Sequence, residues 1–139
     1  MDCIFCKIIS GDIPAIKVLD EERVIAFMDI NPSAKGHLLV VPKKHAENIF
    51  EIEKNDLSAV FHAAKKCAMA IKEALNADGA TVLQLNGKAS DQVVPHLHVH
   101  IIPRWNNDGL SISTWEMKPG NMEEIQAVAD QVKKYMPAY

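Results

Sequence analysis

The chain has 139 residues, with 15 Lys and Arg against 18 Asp and Glu and a formal net charge of −3. That length suits one domain with a proper core, and the absence of a basic surplus argues against a surface for a nucleic-acid polymer. No apolar run approaches the ~20 residues needed to span a bilayer, and three cysteines do not make an even disulfide set, so a cytoplasmic, reducing compartment is the expectation.

Met1-Asp2-Cys3 lacks the charged-then-apolar layout of a signal peptide. Cys3-Ile4-Phe5-Cys6 comes next, and Lys7 to Gly11 reads as one helical turn stopped by glycine. The C-x-x-C spacing suits metal ligands, a redox pair or two ordinary thiols. A redox dithiol usually opens a long helix after a strand, and neither is present here. Residues 15–19 and 24–29 read as a β-hairpin with an acidic turn at Asp20-Glu21-Glu22. Asn31 to Gly36 is a loop by its turn residues, and His37 to Pro42 is a strand, apolar after its first residue and so expected to be central and covered. Taken alone, His37 and His45 read as surface residues.

Asn55 or Asp56 is expected to cap a long helix whose apolar stripe runs through Leu57, Val60, Phe61, Ala64, Cys67, Ala68, Ile71 and Leu75. Cys67 lies on the stripe as a small core residue, while His62 falls off it. The helix ends near 76–79, residues 80–86 form a fourth strand, and Gly87 to Val93 a polar loop. Residues 103–109 break regular structure, and Trp115 lies in a segment without clear pattern. Asn121 caps a last helix with Met122, Ile125, Val128, Ala129 and Val132 on one face.

Between loop and break lies Val94-Pro95-His96-Leu97-His98-Val99-His100-Ile101-Ile102-Pro103, which reads as a fifth strand. Alternation puts His96, His98 and His100 on one face and Leu97, Val99 and Ile101 on the other. Three imidazoles on one face make a poor core, because each carries polar nitrogens that need partners. A functional site is the better reading.

His96-Leu97-His98-Val99-His100-Ile101-Ile102 resembles the His-φ-His-φ-His-φ-φ signature of the histidine-triad (HIT) superfamily of nucleotide hydrolases and transferases. Cys3 to Cys6, Phe27 to Pro32, Gly36 to His45 and Asn86-Gly87 resemble family blocks in the expected order, from the N-terminus to about Arg104. The resemblance implies a single α+β HIT domain over 1–139, with a tail from about 105 on which the family varies. It implies a five-stranded antiparallel sheet with one long and one shorter helix, and a homodimer with joined sheets.

The implied reaction is cleavage at the α-phosphate of a nucleoside phosphate derivative, a phosphoramidate or a dinucleoside polyphosphate. It runs through a nucleotidyl-histidine and releases a nucleoside monophosphate. By the same resemblance His98 is the nucleophile, and His100 and His37 contact the phosphate. Asp29 accepts from the ribose hydroxyls of a purine nucleotide, Ile30 lines the base pocket, and Asn86 and Gln92 contact phosphate or position the leaving group. Cys3, Cys6, His45 and His96 are the implied ligands of a structural Zn²⁺, and catalysis itself needs no cofactor. One departure stands out. The loop before the triad commonly reads Gly-Gln-Ser/Thr-Val in phosphoramidate hydrolases, and here it is Asp91-Gln92-Val93-Val94. Two other readings stay open: a nucleotide-binding scaffold with negligible turnover, and an enzyme in which the triad binds a catalytic metal.

Overall fold

Five strands, β1 (Lys17–Asp20), β2 (Val24–Met28), β3 (Leu38–Pro42), β4 (Gly79–Gln84) and β5 (Val99–Arg104), form one antiparallel sheet in the order β1-β2-β3-β5-β4. The computed structural model describes residues 2–111 and 119–135, so Trp115 lies outside the described residues. The chain falls into two compact units, Met1–Asp108 and Gly109–Tyr139. The sheet belongs to the first.

Period-two alternation assigns the two faces of the sheet. Val24, Ala26, Leu38, Val40, Val99 and Ile101 pack with Val60, Ala63, Ala64 and Cys67 of the long helix α2 (Lys54–Ala74). Ile25, Phe27, Leu39 and Val41 turn the other way and pack with Phe5 and Ile8 of the short helix α1 (Ile4–Ser10). The apolar run of β3 is therefore central and covered on both faces, as its sequence predicts. His98 and His100 alternate with the α2-facing residues, and Leu39 pairs with His100 across the ladder. The histidines thus lie on the α1 face.

Four boundaries differ from expectation. First, α1 starts at Ile4 rather than Lys7, because the Cys3 sulfur accepts the Cys6 backbone N–H at 3.4 Å and caps it; Gly11 (φ 87°) ends it. Second, α2 starts at Lys54, ahead of the expected cap. Asp56 lies in its first turn, where its buried carboxylate takes the Arg23 guanidinium at 2.8 Å. Third, β4 stops at Gln84, after which Gln84 and Asn86 bond to each other through their side chains. Fourth, the triad strand begins only at Val99. Pro95 has no N–H, and Leu97 donates to the Ala46 carbonyl at 2.8 Å, outside the ladder. The face alternation extends beyond the ladder, so the inference from it survives.

Gly36 closes the loop before β3. Its φ is +91°, and a Cβ there would sit 2.5 Å from Leu75 Cδ1 and 3.1 Å from Pro103 Cγ, so both backbone and space demand glycine. In the second unit, helix α3 (Met122–Tyr135) is capped by Asn121, whose side-chain oxygen accepts from Glu124 N–H at 3.0 Å.

Candidate active site and metal centre

The N-terminal knuckle meets the triad at His96, which is 0% exposed. His96 Nε2 lies 2.8 Å from the Pro42 carbonyl, which can only accept, so the ring proton sits on Nε2 and Nδ1 keeps its lone pair. That lone pair faces Cys3 Sγ at 3.3 Å, Cys6 Sγ at 3.6 Å and His45 Nδ1 at 3.1 Å; Cys6 Sγ lies 3.5 Å from His45 Nδ1. A tetrahedral Zn²⁺ with bonds of about 2.3 Å to sulfur and about 2.0–2.1 Å to nitrogen has S···N edges near ~3.6 Å and N···N edges near ~3.3 Å. The observed edges match to within about 0.3 Å. Burial pulls the His96 ring down to about 4, and burial, followed by the Cys3 thiol, pushes the Cys6 thiol up. Both shifts favour the uncharged forms of His96 and Cys6. The donor set fits a closed Cys₂His₂ centre.

His98 stands next to this knuckle and serves a different end. Its Nδ1 donates to the His96 carbonyl at 2.7 Å, leaving an Nε2 lone pair for chemistry. Burial lowers its pKa, with the His96 carbonyl and Asp29 opposing, so the ring is neutral at pH 7.

Beyond His98 lies a second imidazole pair, His37 and His100. Ser33 N–H donates to His37 Nδ1 at 3.0 Å, which places the His37 proton on Nε2. That N–H reaches His100 Nδ1 at 3.0 Å, so the neutral His100 ring carries its proton on Nε2. Burial pulls both down, His100 to about 4. Asp29 faces the same pair, with Oδ2 3.6 Å from His37 Nε2, while its Oδ1 caps the following turn by accepting from Asn31 N–H at 2.8 Å. Asp29, His37 and His100 have donors close enough to share a cation. However, the Ser33 N–H occupies the back of His37, so its front nitrogen has no lone pair to give. Its N–H is given to His100 Nδ1, which leaves the His100 Nε2–H as the donor that suits an anion.

The sequence-derived residues thus converge in two groups, Cys3, Cys6, His45 and His96 on one side and Asp29, His37, His98 and His100 on the other. Ile30 is exposed beside Asp29. Asn86 and Gln92 are engaged within the protein. Asn86 Oδ1 accepts from Ile49 N–H at 2.8 Å; Gln92 accepts from Gly87 N–H at 2.7 Å and donates to the Glu47 and Val94 carbonyls at 2.6 and 3.0 Å. They brace the loop that lines an open cavity of about 580 Å³, whose walls include Glu47, Lys88, Asp91 and Val93. Sequence reasoning missed the Ser33 amide, the Pro42 carbonyl and Phe5. The first two are backbone groups with no residue-type signal. Phe5 lies between the knuckle cysteines, where an aromatic next to metal-type ligands could have been flagged.

Among known proteins, the HIT domain family matches residues 10–107. An adenosine 5'-monophosphoramidase of Schizosaccharomyces pombe is 39% identical over 133 residues, 95% of this chain and 96% of that protein. The crystal structure of a HIT-family member from Bacillus subtilis superposes with a TM-score of 0.92 at 39% identity, covering 100% of both chains. A zinc-bound histidine triad family protein from Mycobacterium smegmatis gives 0.77 at 34% identity over 98% of this chain and 99% of that one. Fold, triad and sequence agree: the chain belongs to the HIT family.

Proposed function

We propose that the protein is a nucleotide hydrolase that cleaves at the α-phosphorus of an adenosine 5'-phosphoramidate or related nucleoside phosphate through a nucleotidyl-His98 intermediate. The observation that carries this reading is the His98 hydrogen bond to the His96 carbonyl, with Nε2 left bare beside two N–H-bearing imidazoles. The Nε2 lone pair attacks phosphorus and the bond to the leaving group breaks. The nucleotidylated ring is cationic, and its Nδ1–H then donates to a carbonyl 2.7 Å away, which stabilises that charge. His100 Nε2–H is placed to stabilise the phosphoryl oxygens, with His37 fixing its tautomer. Asp29, whose second oxygen is not used by the turn, is the acceptor for the ribose. Water attacks phosphorus in the second half, frees His98 and yields a nucleoside monophosphate. The name of the Schizosaccharomyces pombe relative supports a phosphoramidate as substrate.

Cys3, Cys6, His45 and His96 would hold a structural zinc, supported by their edge lengths and by the zinc-bound Mycobacterium smegmatis relative. Four protein donors leave no open position for water, so the metal supplies rigidity and no step of the reaction. Among the described residues β4 is an edge strand, paired only with β5, and a second copy pairing there would remove the edge and make the homodimer.

The test is AMP release from adenosine phosphoramidate by the wild type and by His98→Ala, with acid-quench trapping of nucleotidylated protein. Loss of the nucleophile is expected to lower kcat by ~10⁴-fold or more and to abolish the adduct. A His98→Ala variant within tenfold of the wild type would refute the covalent route.

A further inference from the structure

Phe5 sits between the two knuckle cysteines, on the first turn of α1, which Cys3 caps. Its ring meets His98 edge-on, with centroids 5.1 Å apart at 84°, and meets His96 at 5.8 Å and 73°. Phe27 backs it at 5.5 Å and 70°, so Phe5 is itself held in place. The His98 ring meets His100 on one side, with centroids 4.9 Å apart at 63°, and on the other it is held at two points, the His96 carbonyl that takes its Nδ1–H and the Phe5 edge against its ring. Both belong to the knuckle. One is the backbone of a donor residue, and the other is the residue next to Cys6.

We propose that the Cys3–Cys6–His45–His96 centre positions the His98 ring, with Phe5 as a positioning residue, in addition to pinning the N-terminus to the sheet. This rests on the reading of His98 as nucleophile and of the four donors as a zinc site. An imidazole with one hydrogen bond and a flank on one side alone, here His100, can swing about its Cβ–Cγ bond toward the open side and carry Nε2 off line. A misplacement of about 1 Å is worth roughly 10²-fold in rate. Phe5 blocks that swing, and its own position depends on the turn that Cys3 and Cys6 anchor.

Three proteins decide it: wild type, Phe5→Leu, and the pair Cys3→Ser with Cys6→Ser, each labelled with ¹⁵N-histidine and supplied with zinc. Metal content, kcat and KM for adenosine phosphoramidate, and the two-bond ¹H–¹⁵N pattern of the His98 ring are measured on all three. Phe5→Leu is expected to keep one zinc per chain and to lose about 10–100-fold in kcat with little change in KM. Its His98 signals should average between the two nitrogen patterns where the wild type shows one. The serine pair should lose zinc and show the same averaging. A Phe5→Leu protein with wild-type kcat and a single His98 pattern overturns the proposal, as does a loss confined to KM. If the serine pair does not fold, zinc-loaded Phe5→Leu decides alone. A wild type that takes up no zinc overturns the metal's part. A wild type that releases no AMP removes the nucleophile reading only, since the His98 pattern still upholds or refutes the positioning.

Discussion

The two sides of His98 are built from the same residue type at similar spacing, yet they are suited to opposite ligands. At the knuckle His96 and His45 approach to 3.1 Å, and at the phosphate side His37 and His100 approach to 3.0 Å. What separates them is the backbone group behind each ring. The Pro42 carbonyl behind His96 accepts, so the front nitrogen holds a lone pair and can bind a cation. The Ser33 amide behind His37 donates, so the front nitrogen holds a proton, gives it to His100 Nδ1, and leaves the His100 Nε2–H to suit an anion. A histidine cluster is thus read from its second partner rather than from its composition.

Two alanine substitutions, one on each side, put the comparison at risk. On the proposed mechanism His100→Ala removes the N–H that faces the phosphate and is expected to cost ~10²–10³ in kcat, as for one oxyanion donor, with zinc content unchanged. His45→Ala removes one of the four proposed metal ligands and is expected to weaken zinc binding by about 10²-fold or more, taking one quarter of the ~10–16 kcal/mol of a structural site as its share. Metal titration and steady-state AMP release read the two effects separately. If His100→Ala lost zinc and kept kcat, the assignment of the two sides would be reversed.

The pH profile sharpens the same point. His98, His100 and His37 are all lowered by burial, His100 to about 4. The reaction needs these rings neutral, and a lowered pKa keeps them neutral as pH falls, so the acid limb of kcat/KM is displaced below 6.5. At pH 5.5 an ordinary imidazole near ~6.5 would leave activity down about tenfold, whereas the buried set should lose less than that. A limb centred at or above 6.5 would mean that the nucleophile is solvated.

Much of this was legible in the residues, for identifiable reasons. Strict alternation placed Leu97, Val99 and Ile101 on the α2 face and the histidines on the other, because a one-residue slip would bury imidazoles against helix α2. The apolar run of β3 announced a strand covered twice. The long helix followed from its stripe, although Asp56 proved to be an ion-pair partner inside the first turn rather than the cap. The knuckle residues are scattered over 94 positions, and it was the family resemblance, not spacing, that joined Cys3 and Cys6 to His45 and His96. Tautomers were illegible, since they depend on the Ser33 amide and on the Pro42 and His96 carbonyls, which every residue possesses. Asn86 and Gln92 look like ligand-facing amides in sequence, and only their backbone partners reveal that they also brace the loop.

The smallest expected effect concerns the loop itself. Val93 is 88% exposed and lines the open cavity with Lys88, Asp91 and Pro95, the residue before His96. Because its side chain is solvated, Val93→Ser should change stability by less than about 0.5 kcal/mol. The added hydroxyl supplies a donor that valine cannot, directed at a leaving nitrogen rather than at the phosphoryl oxygens that His100 serves. A neutral, partly wet hydrogen bond is worth about 0.5–1 kcal/mol, so kcat/KM for adenosine phosphoramidate should rise roughly two- to fivefold. Diadenosine tetraphosphate, whose polyphosphate leaving group is far less basic than an amine and departs without a proton, serves as the control and should gain less. Parallel progress curves for the two substrates at matched enzyme concentration make the comparison. Equal gains, or none, would place Val93 away from the scissile bond and leave the histidines as the only donors at the phosphate.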